Sequence, residues 1–432
     1  MTSISTPAAT TTTQRLMSVD ALRGFDMFWI LGADSLVYAL NRMSQNKATS
    51  FLAVQLEHAD WQGFHFYDLI FPLFVFLVGV SLVFSLTKTI EQAGRAEALK
   101  RVFRRGALLF IIGILYSGGF TKQWPDMRLM GVLNRIALAY FFAGLLFCFF
   151  KSRTLVGICT GLLLSYWALM TFVPIRDIQL TRSNIATLAE QAGDTKTAAY
   201  FADKDSPNPS TVRNSEAWAG ARKLFYSTTN RVTGKFDKGY NLSDHTDFQL
   251  LPGKKYDTFF DPEGFLSTIP AIATCLLGVF AGFLLKNPAM PGQRKVLYLV
   301  AFGVGGIIVG WLWNLQFPVI KKIWTSSYVL VAGGYSALLL AAFYQIVDVW
   351  QKRSWCQPFV WIGMNSITVY LTKNIIGGFS KLSERFVGGD IKLFFDNHMA
   401  KGLGDLMIAV VGLLLAFWFV HFLYRRKIFL RL

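Results

Sequence analysis

The residues best able to do chemistry lie in one short stretch, His58-Ala-Asp60-Trp61-Gln-Gly63-Phe-His65-Phe-Tyr67-Asp68. An imidazole that titrates near neutrality can take a proton from an amine or hydroxyl, or attack an acyl carbon itself. Asp60 or Asp68 is close enough in sequence to orient His58. The plainer reading is a polar segment at a membrane interface with its usual aromatic belt. A second cluster is Ser18-Val-Asp20-Ala-Leu-Arg23-Gly24-Phe-Asp26. Asp20 and Arg23 are three apart and share a helix face, so they can pair; Ser18 or Asp20 can also serve as a helix N-cap. Asn134-Arg135 places a guanidinium inside an apolar run, where it needs a buried anion, either a carboxylate or a phosphate. Three further groups are Asp261-Pro-Glu263-Gly264, Lys321-Lys322-Ile-Trp324-Thr-Ser326-Ser327, and Asn365-Ser-Ile-Thr368-Val-Tyr370. At membrane depth each such group is costly and marks a candidate site.

The elements that must position these residues are membrane helices. The chain has 432 residues, 53% hydrophobic and only 16% charged, where a soluble domain carries about 25% charged residues. Apolar stretches recur from Phe25 to Tyr424, each near the length that crosses a roughly 30 Å hydrocarbon core. Lipid leaves no partner for an open backbone, so helices are expected. The fold class predicted is an all-α integral membrane protein, a polytopic bundle of about ten transmembrane helices with one long non-cytoplasmic loop. Spans are read at 25–40, 66–86, 103–119, 132–150, 153–174, 264–286, 295–315, 324–347, 357–378 and 404–424. The organisation is then a cytoplasmic N-terminal segment 1–24 and transmembrane helices 25–174 with an active-site loop at 41–65. A loop or cap follows at 175–262, then helices at 263–424 and a cytoplasmic tail at 425–432.

Charge sets the orientation. With the N-terminus in the cytoplasm, the cytoplasmic segments hold 19 Lys and Arg and the opposite short loops 11, as the positive-inside rule requires. Both termini are therefore expected in the cytoplasm. The first residues lack a basic region followed by a short apolar core, so no cleavable signal peptide is read. The net charge of +17 is spread over these loops without a dense basic run, and nucleic acid is not an expected partner. Cys148, Cys159, Cys275 and Cys356 form no C-x-x-C pair and read as small core residues; no metal site is expected. Signatures of P-loop ATPases, zinc proteases and serine hydrolases are absent. Gly278-x-x-x-Gly282 and Gly306-x-x-x-Gly310 allow close helix approach, more readily within one chain than in a homodimer. The stretch Ile391–Phe395 is amphipathic and suits the membrane surface.

Taken in order, these motifs resemble a known family. Ser18-Val-Asp20 with Arg23-Gly24, His58-Ala-Asp-Trp61-Gln-Gly63, and Asp68-Leu-Ile-Phe-Pro72-Leu-Phe-Val-Phe are similar to the active-site region of the heparan-α-glucosaminide N-acetyltransferase family and its bacterial relatives. Further similarity lies in Gly131-Val-Leu-Asn-Arg135-Ile-Ala-Leu, Asp261-Pro-Glu263-Gly264, Phe317-Pro-Val-Ile-Lys321-Lys-Ile-Trp324-Thr-Ser326-Ser and Gly363-Met-Asn365-Ser-Ile. The loop between Pro174 and Pro262 matches no sugar-binding pattern. The resemblance implies an enzyme that moves an acetyl group from cytoplasmic acetyl-CoA to a glucosamine-type amino sugar on the far side. It implies His58 as the active histidine.

The expected site follows. His58 is catalytic, with Asp68 and Asp60 tuning it. Arg23, Arg104 and Arg105 draw the acetyl-CoA phosphates, with Arg135 deeper. Trp61, Asp261, Glu263, Lys321, Trp324 and Asn365 are the acceptor-side candidates, Asn365 or Trp61 also as oxyanion donor. The partners expected are the amino sugar and the lipid bilayer, the location the inner (plasma) membrane of a bacterium. The rival reading is an amino-sugar transporter, since intramembrane Asp, Arg and Asn also suit a substrate pathway; the absence of an internal repeat counts against it. A membrane scaffold or assembly partner fits the many polar groups least.

Overall fold

A computed structural model describes residues 16–119, 122, 123, 126–207 and 216–430. The elements run as α1 (Met17–Phe28), a π-helical turn (Trp29–Ala33), α2 (Asp34–Ser44), α3 (Lys47–Gln55), α4 (Phe66–Tyr116), α5 (Val132–Phe149) and α6 (Ser152–Phe172). Then come β1 (Ile175–Arg176), α7 (Arg182–Gln191), α8 (Thr195–Ala202), α9 (Glu216–Ser227), β2 (Arg231–Val232) and α10 (Leu242–Leu250). The chain continues with α11 (Thr268–Lys286), α12 (Gly292–Trp313), α13 (Ser326–Phe343), a second π-helical stretch (Tyr344–Val349), α14 (Gln357–Met364) and α15 (Ser366–Ile375). It ends with α16 (Phe379–Val387), α17 (Asp390–His398) and α18 (Leu403–Arg425).

Among the described residues, 7 helical stretches are long and apolar enough to cross a membrane. The difference from the expected count has local causes. The 51 residues of α4 are two arms joined at Gly94, whose φ of +82° no ordinary helix residue adopts; Arg101 reaches back over the break to Thr89 at 3.1 Å. The first apolar stretch is interrupted by the π turn and by Gly32 at φ +120°. The ninth breaks at Asn365, between α14 and α15.

Glycines set the helix contacts that carry the site. A Cβ at Gly79 would lie 1.9 Å from the Cys275 carbonyl, and one at Gly278 would lie 1.9 Å from that of Phe76. The first arm of α4 and α11 therefore meet backbone to backbone. Gly306 and Gly310 likewise face the backbone of α13. Both small-residue stripes are thus filled from within the chain. The second arm of α4 packs on α5 instead, with Gly106 against Phe141 and Gly144 against Val102. Gly24 and Gly363 make the same kind of mutual approach between α1 and α14.

The segment between α6 and α11 has its own core of Ile178, Leu180, Ile185, Phe201, Trp218, Phe225, Phe248, Phe259 and Phe260, closed by the antiparallel pair β1–β2. We call it the cap. Near the C-terminal end, α17 exposes Ile391, Leu393 and Phe394, while α16 packs Phe379 and Ser380 against Gly412 of α18.

Candidate active site

The first turn of α4 builds the site. Asp68, third residue of that helix, takes the backbone N–H of His65 at 3.0 Å and of Ala59 at 3.2 Å. A helix N-terminus favours a carboxylate there. Its other oxygen meets His58 Nδ1 at 2.9 Å. The Asp68 side chain is 1% exposed and that of His58 50% exposed, so a buried acid holds an imidazole that faces outward. His58 also packs on Tyr67, with ring centroids 4.9 Å apart, and Tyr67 O–H points to Asp34 at 3.4 Å.

The loop carrying His58 is strapped to the loop between α12 and α13. Gly63, at φ +125°, donates its N–H to the Val319 carbonyl at 2.9 Å, and Gln62 pairs with Ile320. The next residue, Lys321, brings its Nζ to 2.9 Å from His58 Nδ1, 3.2 Å from Nε2 and 3.4 Å from Asp68. One nitrogen cannot both donate to Asp68 and accept from Lys321. The arrangement that satisfies all three groups puts the proton on Nδ1, shared with Asp68, and leaves the Nε2 lone pair beside the ammonium. Burial pushes the Lys321 ammonium below the ordinary lysine range, with Asp68 pulling the other way.

Behind this trio lies a buried layer. Tyr328 donates to the Asp68 carbonyl at 2.8 Å. Trp324, at φ +50°, packs on Phe71 and Tyr328 and donates to Thr274 at 3.0 Å. The fully buried Arg135 lies 4.9 Å over the Trp324 ring, donates to Ser267, and touches the Gly264 carbonyl at 3.4 Å. Asp261 and Glu263 are taken by Arg128, at 2.8 and 2.6 Å for Asp261. These carboxylates raise the Arg128 guanidinium above its ordinary value against the opposing effect of burial. Lys322 pairs with Asp257 of the cap at 2.9 Å.

A second cavity, of about 650 Å³, opens between α1, both arms of α4, α5 and α14–α15. Arg23, Lys88, Arg101 and Arg105 line its mouth. Arg23 pairs with Asp20 at 3.2 Å and donates to Ser81 at 2.6 Å; Arg105 lies 4.9 Å over Tyr140. Its inner wall includes Phe74, Ile136, Asn365 and Ser366. A void of about 30 Å³ shares Phe74, Ile136 and Ser366 and reaches Phe71, whose ring meets Trp324 at 5.0 Å. From Asp68 to Ser85 the first arm of α4 covers about 25 Å at 1.5 Å per residue.

Of the expected residues, His58, Asp68 and Lys321 come together. Trp324 lies directly behind them, and Asp261 and Glu263 sit a layer further off. Arg23, Arg105 and Asn365 share the second cavity. Arg104 is exposed and outside that cavity, and Arg135 belongs to the Trp324 layer rather than to it. Asp60 is exposed. The Trp61 N–H is committed to the Phe236 carbonyl at 2.7 Å, and the Asn365 amide donates to the Trp361 carbonyl at 3.2 Å.

The catalytic-region description of heparan-alpha-glucosaminide N-acetyltransferase matches residues 15–191, the stretch that holds His58 and Asp68. The mouse protein named heparan-alpha-glucosaminide N-acetyltransferase is 26% identical over 398 residues, covering 86% of this chain and 56% of its own length. The human protein of the same name is 26% identical over 388 residues, covering 86% and 55%. The chain is thus similar to heparan-α-glucosaminide N-acetyltransferases over most of its length. The chain spans about half the length of the curated relatives it matches. The catalytic-region match ends at residue 191, so Lys321, beside His58, lies outside it.

The sequence assigns no role to Tyr67, Tyr328 or Arg128. Tyr67 stands beside Asp68 and could have been found by that position. Tyr328 and Arg128 carry no local signal; only folding brings them to Asp68 and Asp261.

Proposed function

We propose that this protein is a membrane acetyltransferase that moves an acetyl group from cytoplasmic acetyl-CoA to the amine of a glucosamine-type sugar on the other face. The observation that carries the reading is the pair of sites along one helix. His58, Asp68 and Lys321 stand at its start, and a cavity with a basic mouth opens beside its far end. Arg23, Lys88, Arg101 and Arg105 suit the phosphates of the donor, and the pantetheine arm would follow the cavity toward Phe71. The names of the relatives support the acceptor class.

In this mechanism Asp68 holds the His58 Nδ1 proton, which leaves the Nε2 lone pair, beside Lys321, as base or nucleophile. Nε2 takes the proton of the incoming ammonium, or attacks the thioester carbon and passes the acetyl group on. In both routes the C–S bond of acetyl-CoA breaks, a C–N bond to the sugar amine forms, and the leaving thiolate takes up the second proton lost by the nitrogen. Lys321 stands where it can donate to the developing oxyanion.

The proposed topology has ten crossings. They are the 7 apolar stretches with α4 counted as two arms, plus the broken α1–α2 and α14–α15 segments. Both termini lie in the cytoplasm, by the 19 to 11 balance of basic residues, and the cap of the 175–262 segment on the opposite side. The inner membrane of a bacterium is the proposed location.

The deciding experiment supplies purified protein with labelled acetyl-CoA and a glucosamine-terminated acceptor. Acetylated sugar is the expected product. Sugar uptake into proteoliposomes without acetyl-CoA, and with no acetylation, would make the protein a carrier instead.

A further inference from the structure

Lys321 puts a primary amine beside the imidazole that the proposed transfer uses. Its Nζ lies 2.9 Å from His58 Nδ1 and 3.2 Å from Nε2, and its side chain is 19% exposed. The backbone around it is held on both sides. Ile320, just before it, is bridged to Gln62, and the Lys321 carbonyl accepts the Trp324 N–H at 2.9 Å. An acyl carbon that Nε2 attacks, or that is held for attack beside it, therefore comes within roughly 3–3.5 Å of Nζ, the separation of a near-attack geometry.

Such an amine is itself an acetyl acceptor once it gives up its proton. Burial holds Lys321 below the ordinary lysine range, which raises the share of free amine near neutral pH. Asp68, at 3.4 Å, and Glu263 favour the ammonium, whereas Lys322 favours the amine. His58 faces it with a lone pair on Nε2 that can take the proton. The neighbouring Lys322 is differently placed: its Nζ is held by Asp257 of the cap at 2.9 Å. Lys100, 77% exposed on the second arm of α4 and paired with Glu97, is an ordinary surface lysine.

We propose that Lys321 is a self-acetylation site, which takes the acetyl group from acetyl-CoA when no sugar amine is present. The proposal rests on the acetyltransferase reading and adds a modification that ends turnover. A C–N bond forms between Nζ and the acetyl carbon, the C–S bond of acetyl-CoA breaks, and the proton lost by the amine passes through His58 to the leaving thiolate. Where His58 carries the acetyl group first, its C–Nε2 bond breaks in the second half of the step. The product is an uncharged amide. It no longer pairs with Asp68 or donates to an oxyanion, so protein left without an acceptor switches itself off.

The test incubates the purified protein with labelled acetyl-CoA alone and maps the label by mass spectrometry. Label at Lys321 is expected to exceed that on Lys322 and Lys100 by at least about tenfold, and to form at least about 10²-fold more slowly in His58→Ala. Turnover of glucosamine measured afterwards should fall in step with the labelling, and glucosamine added from the start should suppress it. Label spread evenly over the three lysines, or label that survives His58→Ala, is plain chemical acetylation and would overturn the proposal. The ratio of Lys321 to Lys100 label within the parent decides even if His58→Ala is unstable. Steady acetylation of glucosamine by protein whose Lys321 stays unmodified would also overturn it, and the acetyltransferase reading would then stand alone. No label at Lys321 together with no acetylated sugar removes both.

Discussion

At the scale of single residues the protein turns on what Asp68 does twice. Its carboxylate closes the first turn of α4 and also fixes the His58 ring. His58→Ala should therefore remove acetyl transfer by about 10²–10⁴-fold while leaving expression and membrane insertion unchanged, because the side chain is half exposed. Asp68→Asn should lower turnover and also destabilise, since it disturbs the helix cap, the imidazole and Lys321 together. His65→Ala should be milder than either, its ring nitrogen reaching only the Glu57 carbonyl at 3.0 Å. Turnover of His58→Ala within about threefold of the parent would remove it from the mechanism. Asp60, in the same sequence cluster, lies exposed and apart; it is Asp68, one face further along, that the helix start turns inward.

At the scale of elements, close helix approach holds the two arms of α4 in place. Gly278→Val would force a branched side chain against the Phe76 carbonyl, and overpacking of this kind costs about 1–3 kcal/mol or more. A fall in the thermal unfolding temperature is expected, against little change for Gly157→Ala, where a Cβ meets nothing within 4 Å. The cap has a different sensitivity. Burial pushes Asp247 up to about 7, although it accepts backbone N–H bonds from Asp261 and Phe265. A carboxylate raised above its unfolded value stabilises while protonated, so its contribution is complete in acid and is lost as pH rises through about 7. Unfolding temperatures should drop between about pH 4 and pH 7, and Asp247→Asn should flatten that drop. An unchanged slope in the variant would assign the pH dependence elsewhere.

At the scale of the whole molecule the proposed transfer needs both faces of the membrane. An impermeant thiol reagent should label Asp205→Cys, an exposed cap position, in intact cells; labelling only after lysis would reverse the topology. The cavity proposed for the donor separates two neighbouring arginines. Arg105→Gln should raise the KM for acetyl-CoA and leave that for the acceptor, whereas Arg104→Gln should change neither, because Arg104 lies outside the cavity. Equal effects from the two would detach the cavity from the donor.

Much of this could be read in the chain itself. Apolar runs of membrane length fix helices because lipid gives a backbone no other partner, and the His58 and Asp68 cluster was visible because charged and titratable groups are rare beside such runs. What folding alone decided were the pairings between distant segments. Lys321 lies 263 residues from His58, and nothing local in either segment announces their meeting. Arg128 takes both Asp261 and Glu263 from a segment more than 130 residues away in sequence. Arg135 rests on Trp324 and a hydroxyl instead of an anion. Side-chain type and spacing specify an element and its buried face; which element it meets depends on packing that closes over hundreds of residues, and that closure is where the site was assembled.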